Sequence, residues 1–396
     1  MSELIVATIG ASTAADAVRA GAEASEEAVR QLDSMPPRLA IVFGSSWFDP
    51  GGLLEGIHSV LGPVPLIGQS TAGEIGPQGP LSHTCLVVLI AGEALHCSVG
   101  CGEAIDEHPR EAGQRAAYAA MRNFQGGRSG FLLFGDGLVT NYTDVVRGIQ
   151  EVLGTGALIV GGMAGDDLRF AQTYQFVNTR VVSRAVVGAL LGGAIGLGVG
   201  MEHGFAPISK PRRITRAHAN ILYELDRQPA ASVYEEYFGT DVVQRMRTEG
   251  VSRQGIAYPL GIQNESASHW LLRNVVVFQP DGSLSCSGEI AEGGWLQLMI
   301  GSRELALEAA SKAAQQAVRS LNRIACVLVF DSIVRRALLG PRYAAMEIAS
   351  IREAIGPATP LAGCYTYGEQ APLESTAGHG STVVQTGSVL VVALGS

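Results

Sequence analysis

The chain has 396 residues, 47% of them apolar, enough for two ordinary domains or three tightly fused units around a sizeable core. Of its 50 glycines many sit in pairs at predicted turns and none follow a triplet period, which excludes collagen and argues against disorder. The formal charge of −9, with no basic run beyond PRR at 211–213, excludes a nucleic-acid partner, because binding polyphosphate needs a basic face that releases counterions.

The opening MSELIVATIG has neither a basic flank nor a long apolar core, so no signal peptide is expected. An Ala-rich helical stretch (15–32) leads to an apolar strand (LAIVFGSS from 39), then to helical text ending IHSVLGP and a strand that runs into LIGQSTAGEI from 66. The order returns with 111–124, SGFLLFGDG, IQEVLGTG and IVGGMAGDD from 159. It returns again with 305–321, ACVLVFDSI, IREAIGP and LAGCYTYGEQ from 361. Pro65–Glu74 and Pro360–Glu369 share Pro-Leu-x-Gly-x-x-Thr-x-Gly-Glu in one register, while the middle copy is looser. One supersecondary unit has been copied. Helix–strand–helix–strand units spanning 15–102, 109–204 and 305–396 predict layered α/β domains.

AVVGALLGGAIGLGVGM (185–201) is uncharged, with glycine at every fourth position from Gly188 to Gly200, and superficially resembles a membrane helix. Its counterpart at 85–100 carries Glu93 and His96, so the segment is expected to be a hairpin of two buried strands joined near Gly192-Gly193, with no membrane insertion. Between the second and third units the text changes. After ITRAHANILYELDRQPA, the run from YPLGI (258–262) to WLQLMIG alternates strands with turn dipeptides and predicts an antiparallel β-meander. The domain boundary is placed near 208, giving 1–208 with two repeat units and 209–396 with the meander and the third unit. Cys85, Cys97, Cys101, Cys286, Cys326 and Cys364 form no CxxC pair and read as reduced thiols of a cytoplasmic protein.

The corners Ser70-Thr71-Ala72-Gly73-Glu74 and Tyr365-Thr366-Tyr367-Gly368-Glu369 fall where a buried strand leaves its sheet, the place where α/β folds bind ligands. There Gly permits close approach, Thr donates and accepts, and Glu offers a carboxylate, so together they could grip a small polar molecule. The same residues could instead satisfy their own turn. Asp136 and Asp331 follow buried strands, with Ser45 and Ser46 in the first unit's place, and are pocket or helix-cap candidates. Arg273, inside apolar LLRNVVVF, calls for an internal carboxylate or an incoming one. No histidine has metal-ligand spacing, and His203 alone, at the junction MEHGFAP, is a candidate axial ligand or hydrogen-bond donor. There is no GxSxG elbow, Walker A loop or GxGxxG opening a βαβ unit, so no enzyme is expected. The rival reading makes Glu74 and Glu369 an acid/base pair in one cleft.

Taken together, LIGQSTAGEI, IVGGMAGDD, ITRAHANILYELDRQPA, YPLGI and GCYTYGEQAP resemble the FIST family of sensory modules, with an N-terminal and a C-terminal FIST domain, from about 30 to 375. The resemblance implies signal transduction through a small ligand, an amino acid or related metabolite. Some relatives look like haem-containing nitric-oxide sensors that control a histidine kinase. The family's characteristic positions fall on Thr71, Gly73, Glu74, Gly165, Asp166, Tyr365, Thr366, Gly368 and Glu369. No kinase or cyclase segment is fused to this chain, so signalling would pass through a separate partner, and haem, if bound, would fall to His203.

Overall fold

One path is traced three times. In the first unit, β1 (Val6–Ser12) leads through helix α1 (Ala17–Arg30), β2 (Pro37–Ser45) and α2 (Pro50–Leu61) to β3 (Leu66–Thr71). The chain then turns into the hairpin β4 (Glu74–Gly76) and β5 (Gly79–Leu81) and returns as β6 (Cys85–Ala91). The second unit repeats this as β7 (Leu95–Glu103), α3 (Pro109–Met121), β8 (Arg128–Gly135), α4 (Tyr142–Leu153), β9 (Ile159–Met163), the hairpin β10 (Gln175–Val177) and β11 (Arg180–Val182), and β12 (Ala185–Gly193). The computed structural model describes residues 4–122, 124–249, 257–263, 269–372 and 382–396.

The third unit opens with β13 (Gly196–Glu202) and is then interrupted. The insertion holds β14 (Phe205–Pro207), β15 (Arg212–His218), β16 (Ile221–Leu225), β17 (Gln228–Pro229), α5 (Ser232–Phe238), α6 (Thr240–Glu249), β18 (Leu260–Gln263), β19 (Leu271–Arg273), β20 (Val275–Phe278), β21 (Leu284–Cys286) and β22 (Trp295–Gly301). The unit resumes with α7 (Arg303–Val318), β23 (Ile324–Ser332), α8 (Ile333–Ile355, broken at Gly340), β24 (Leu361–Thr366), the hairpin β25 (Glu369–Pro372) and β26 (Thr382–Gln385), and β27 (Val389–Gly395).

Each unit builds a sheet in which its second helix carries the chain between two parallel strands, as such a crossover must. The sheets run β1-β6-β2-β3-β10-β11, β7-β12-β8-β9-β25-β26 and β13-β27-β23-β24-β4-β5. The last two strands of every sheet are therefore borrowed. The hairpin of the second unit completes the first sheet, that of the third completes the second, and that of the first completes the third. Every unit thus both lends and receives a hairpin, which ties the three into a closed cycle.

The core lies where the three sheets face one another. Phe43, Phe134 and Phe330, the matching residues of β2, β8 and β23, are wholly buried with ring centroids 5.7–5.9 Å apart, Phe43 meeting the other two edge to face and those two tilted on each other. Around the outside, the Ala-rich helices press onto the edge strands. A Cβ added at Gly10, Gly100 or Gly200 would sit about 2 Å from the carbonyl oxygen of Ala24, Ala116 or Ala313, so glycine on the strand and alanine on the helix are one requirement.

Three expectations change. The units begin one strand before their helices, because β1, β7 and β13 pair antiparallel with the return strands β6, β12 and β27 of their own unit. The glycine ladder of 185–201 is extended and buried, but it is no hairpin: β12 pairs with β7 and β8 while β13 pairs with β27 in another sheet. No described helix is long and apolar enough to cross a membrane. The insertion is antiparallel throughout, yet its order β19-β18-β22-β15-β16-β21-β20 places β22 between two earlier hairpins, so it is not a sequential meander. Its own core gathers Tyr234, Leu222, Leu260 and Leu298. The first 208 residues thus supply two units plus the edge strand of the third.

Candidate functional site

The three corners meet. Ala72 N donates to Tyr365 O (3.0 Å), Gly165 N to Ser70 O (3.1 Å) and Tyr367 N to Met163 O (3.2 Å). These are equivalent positions in the three units, so the backbone bonds form a closed ring around the pseudo-threefold axis. Gly165 is needed for this approach: a Cβ there would lie 2.7 Å from Ala72 N and Cβ.

Within the ring the first and last corners are built alike. Thr71 Oγ1 donates to one oxygen of Glu74, and Thr84 N donates to the other at 3.1 Å. Thr366 Oγ1 donates to Glu369 at 2.6 Å, and Ser388 binds the second oxygen through N (3.2 Å) and Oγ (2.7 Å). Both carboxyl groups are fully buried, and burial pushes each up to about 8. Ser70 Oγ is likewise occupied, donating to Gly165 O (2.9 Å) and accepting from Tyr174 N (2.9 Å). Each Glu is spent on its own turn, and neither oxygen pair is turned toward the other corner's carboxylate.

Gly73 (φ 118°) and Gly368 serve packing. A Cβ on Gly73 would meet the Arg336 guanidinium at 1.9 Å, and one on Gly368 would meet Met163 Sδ at 2.8 Å. Arg336 donates to Ala72 O (2.7 Å) and Ser82 Oγ (3.2 Å) and lies 4.6 Å over the Tyr365 ring, whose hydroxyl is buried without a partner. Asp136 accepts from Leu138 N (2.9 Å) and Arg184 N (3.2 Å), so it holds its own loop. The internal carboxylate expected for Arg273 is not its hydrogen-bond partner. Arg273 donates to three backbone carbonyls, Glu289 O, Leu272 O and Val384 O, which tie the insertion to β26, and burial lowers its pKa to about 10.

His203 does not fit an axial haem ligand. Phe205 N donates to its Nδ1 (2.9 Å), which puts the ring proton on Nε2 and leaves neither nitrogen with a free lone pair. Burial drives its pKa down to about 4, so the ring stays neutral at the junction. Among the described residues no group of three or more His, Cys, Asp or Glu side chains is placed to hold a metal.

The middle corner is the different one. Where the outer copies pass directly into their hairpins, the second unit adds the loop 167–173 before β10. Asp166, buried, accepts from Phe170 N (2.9 Å), Ala171 N (2.7 Å) and Gln172 N (3.0 Å), and Tyr367 Oη donates to it at 2.5 Å. Asp167, Leu168 and Phe170 are held at φ of 55°, 62° and 50°, left-handed values that side chains rarely adopt. This stapled loop displays Phe170 (62% exposed) stacked on Tyr367 at 5.0 Å, and Leu168 (47% exposed). Asp167 accepts from Ser46 Oγ (2.8 Å), and Arg169 donates to Ser46 O (2.9 Å). Beside Ser46, Trp47 (66% exposed) stacks on His83 at 4.8 Å, next to the Ser82 that binds Arg336.

Sequence reasoning singled out Asp166 and Ser46 and placed Tyr367 in a corner without giving it a role, but missed Trp47, His83, Asp167, Arg169, Phe170 and Arg336. The signal was present as the extra residues and the aromatic Phe170 following the middle corner.

The FIST N domain model matches residues 38–228 and the FIST C domain model residues 230–372. An uncharacterized protein of Methanocaldococcus jannaschii is 24% identical over 311 residues, covering 71% of this chain and 57% of that protein, so the match spans little more than half of the archaeal relative. Uncharacterized proteins of Mycobacterium tuberculosis (26% identical, 72% of this chain and 74% of the relative) and Mycobacterium bovis (25%, 94% and 96%) are also similar. Among solved structures, a cyanuric acid hydrolase from A. caulinodans covers 99% of this chain and 100% of its own at 10% identity and a TM-score of 0.39, a likeness too distant to transfer residue roles.

Proposed function

The chain belongs to the FIST family, and on that premise we propose that it is a small-ligand sensor in signal transduction, its ligand seated where the three corners meet. FIST domains are assigned as small-ligand sensory domains in signal transduction. The ligand proposed is an amino acid or related metabolite, and the signal would pass to a separate partner such as a histidine kinase.

The observation that carries the reading is the strained loop of the middle corner. Three residues in the left-handed region persist only because Asp166 and Tyr367 over-determine them, and strain of this kind accumulates at ligand sites. The loop and its neighbours offer what a zwitterion needs. Asp167 is an exposed carboxylate for an ammonium group, and Arg169 and Arg336 keep N–H donors for a carboxylate. Phe170 and Trp47 provide apolar faces for a side chain. Glu74 and Glu369 are assigned no contact with ligand. A ligand on this face bridges loops of all three units and so favours whichever arrangement of units binds it better, which is how a binding event becomes a signal.

The test is a thermal-shift screen of the full chain against an amino-acid panel. A ligand at about a hundred times its Kd should stabilise by about 2.7 kcal/mol. The shift should fall to about half or less in Asp167→Asn and Phe170→Ala, whose unliganded melting temperatures match the parent. If no panel member shifts melting, or the shift is undiminished in both substitutions, this site is wrong.

A further inference from the structure

Pseudo-symmetry supplies an internal control, and the third unit departs from it in its interior. After the axial Phe43 and Phe134 come Gly44 and Gly135, where a Cβ would strike Leu53 Cδ2 (2.6 Å) or Tyr142 Oη (2.3 Å). After Phe330 comes Asp331, wholly buried. Its register partner across the parallel pair is Tyr365, so the two side chains share a face of the sheet, and α8 covers that face with Arg335 and Glu347. Arg335 Nε donates to Asp331 Oδ1 (2.9 Å) and its Nη2 to Glu347 Oε1, and all three side chains have no exposed surface.

The charges in this chamber do not balance. Two carboxylates face one guanidinium, so full ionisation leaves a net negative charge out of reach of water, which is strongly unfavourable. Three oxygens there lack partners: Asp331 Oδ2, Glu347 Oε2 and Tyr365 Oη. The other charged groups that reach it are Glu369 from the corner and Arg336, one residue along α8 and engaged on Ala72 O. His203, from the junction, gives its carbonyl to Arg335, and its ring, held neutral by burial, lies within electrostatic reach of that guanidinium. The Glu347 half of α8 is separated from the Arg335 half by Gly340 (φ 68°) and Pro341, a break with open space around it.

We propose that this chamber is a proton-binding site in which Asp331 and Glu347 share one proton beside Arg335. Losing that proton swings the 342–355 half of α8, with Glu347, away from β23 about the Gly340–Pro341 break. Burial and the neighbouring Glu347 both hold Asp331 well above the usual carboxylate range, in keeping with a retained proton. The same arginine also binds His203 O (2.6 Å) and Ala306 O (2.9 Å), so the protonation state reaches the junction where the inserted sheet joins the three-unit body.

The test follows side-chain carboxyl carbon resonances of the full chain by NMR from about pH 5 to about pH 9, with amide exchange across 342–355 measured in parallel. One carboxyl titration should appear above the ordinary carboxylate range, be absent from Asp331→Asn and Glu347→Gln, and persist in the Glu74→Gln/Glu369→Gln double variant. Exchange in 342–355, corrected for intrinsic rates, should accelerate about tenfold per pH unit through that transition, the slope of one released proton. The proposal is overturned if exchange is flat in the parent chain. It is equally overturned if, in the Glu74→Gln/Glu369→Gln background, no carboxyl titrates above about pH 5. That background decides the matter even where the Asp331 and Glu347 variants fail to fold.

Discussion

The first and last corners share Pro-Leu-x-Gly-x-x-Thr-x-Gly-Glu in one register, and the middle one does not; the contrast separates architecture from surface. Glu74 and Glu369 are buried, each locked by a Thr three residues earlier and a Thr or Ser on the return strand. Identity there is what a repeated internal joint demands. In the middle corner Asp166 turns inward to staple a loop, and the freed residues Asp167–Phe170 reach solvent. Duplication keeps the joint wherever nothing else is asked of it. A copy can depart from the joint only where another group supplies the lost contacts, as Tyr367 does here.

If that division is right, stability and ligand binding should respond to the corners in opposite order. The largest stability loss is expected at Gly363→Val. Its Cβ would lie 1.9 Å from Val329 O inside the third sheet, so no rotamer relieves the clash and the chain should not fold. Gly161 and Leu133 O stand in the same relation in the second unit, at the same 1.9 Å. Recovery of soluble, cooperatively melting Gly363→Val protein would show that the units are not locked as described.

Next come Thr71→Val and Thr366→Val. Each removes the hydroxyl that satisfies a buried carboxyl, at a cost of about 1–3 kcal/mol in urea denaturation. Ligand affinity should be unchanged in both. If either lost affinity while keeping its stability, the outer corners would be sites after all.

The same carboxyls predict a pH dependence. Glu74 and Glu369 are raised from 4.5 to about 8 in the folded chain, so the folded state holds protons that the unfolded state has released. Their contribution is fully present below about pH 4.5 and is lost as pH rises toward 8, on the order of 1 kcal/mol per pH unit for each group. Asp331 is shifted in the same direction and adds to the slope. Urea midpoints should therefore fall from acidic to mildly alkaline pH. The Glu74→Gln/Glu369→Gln variant, which mimics the protonated form, should flatten most of that fall. A midpoint that rises over this range would reverse the argument.

Much of the architecture was legible in the chain because its signals are local. Phe43-Gly, Phe134-Gly and Phe330-Asp mark the axial strands, and Ala-rich helices answer strand glycines such as Gly10 and Gly200. The exchange of hairpins was not legible, since Glu74-Ile75-Gly76 alternates the same way whether it pairs with β3 of its own unit or, as it does, with Cys364 and Gly363 of another. The apparent hairpin at Gly192-Gly193 failed for the same reason: text shows that two strands are adjacent in sequence, not that they share a sheet. The proposed site was hidden by a different effect. A well-kept motif draws attention to Thr71, Glu74, Thr366 and Glu369, whereas the chemistry on the surface lies in Asp167, Arg169 and Phe170, where the motif has decayed.

The smallest stability effect, and the sharpest test of the contrast, belongs to Phe170→Ala. The ring is largely exposed and contributes one stacked face on Tyr367, while the loop itself is held by backbone bonds to Asp166 that the substitution leaves in place. Unfolding free energy should change by no more than about 0.5 kcal/mol. Ligand affinity should fall by at least about tenfold, in line with losing an aromatic contact of about 1.5 kcal/mol. Asp166→Asn should lie between the extremes, since the loop loses charge-assisted acceptors for three amides and so loses both stability and affinity. Measured by urea melts and calorimetric titration on the same preparations, the series from Thr366→Val through Asp166→Asn to Phe170→Ala should run downhill in stability cost and uphill in lost affinity. A series in which both fall together would mean that the middle corner is only a third joint.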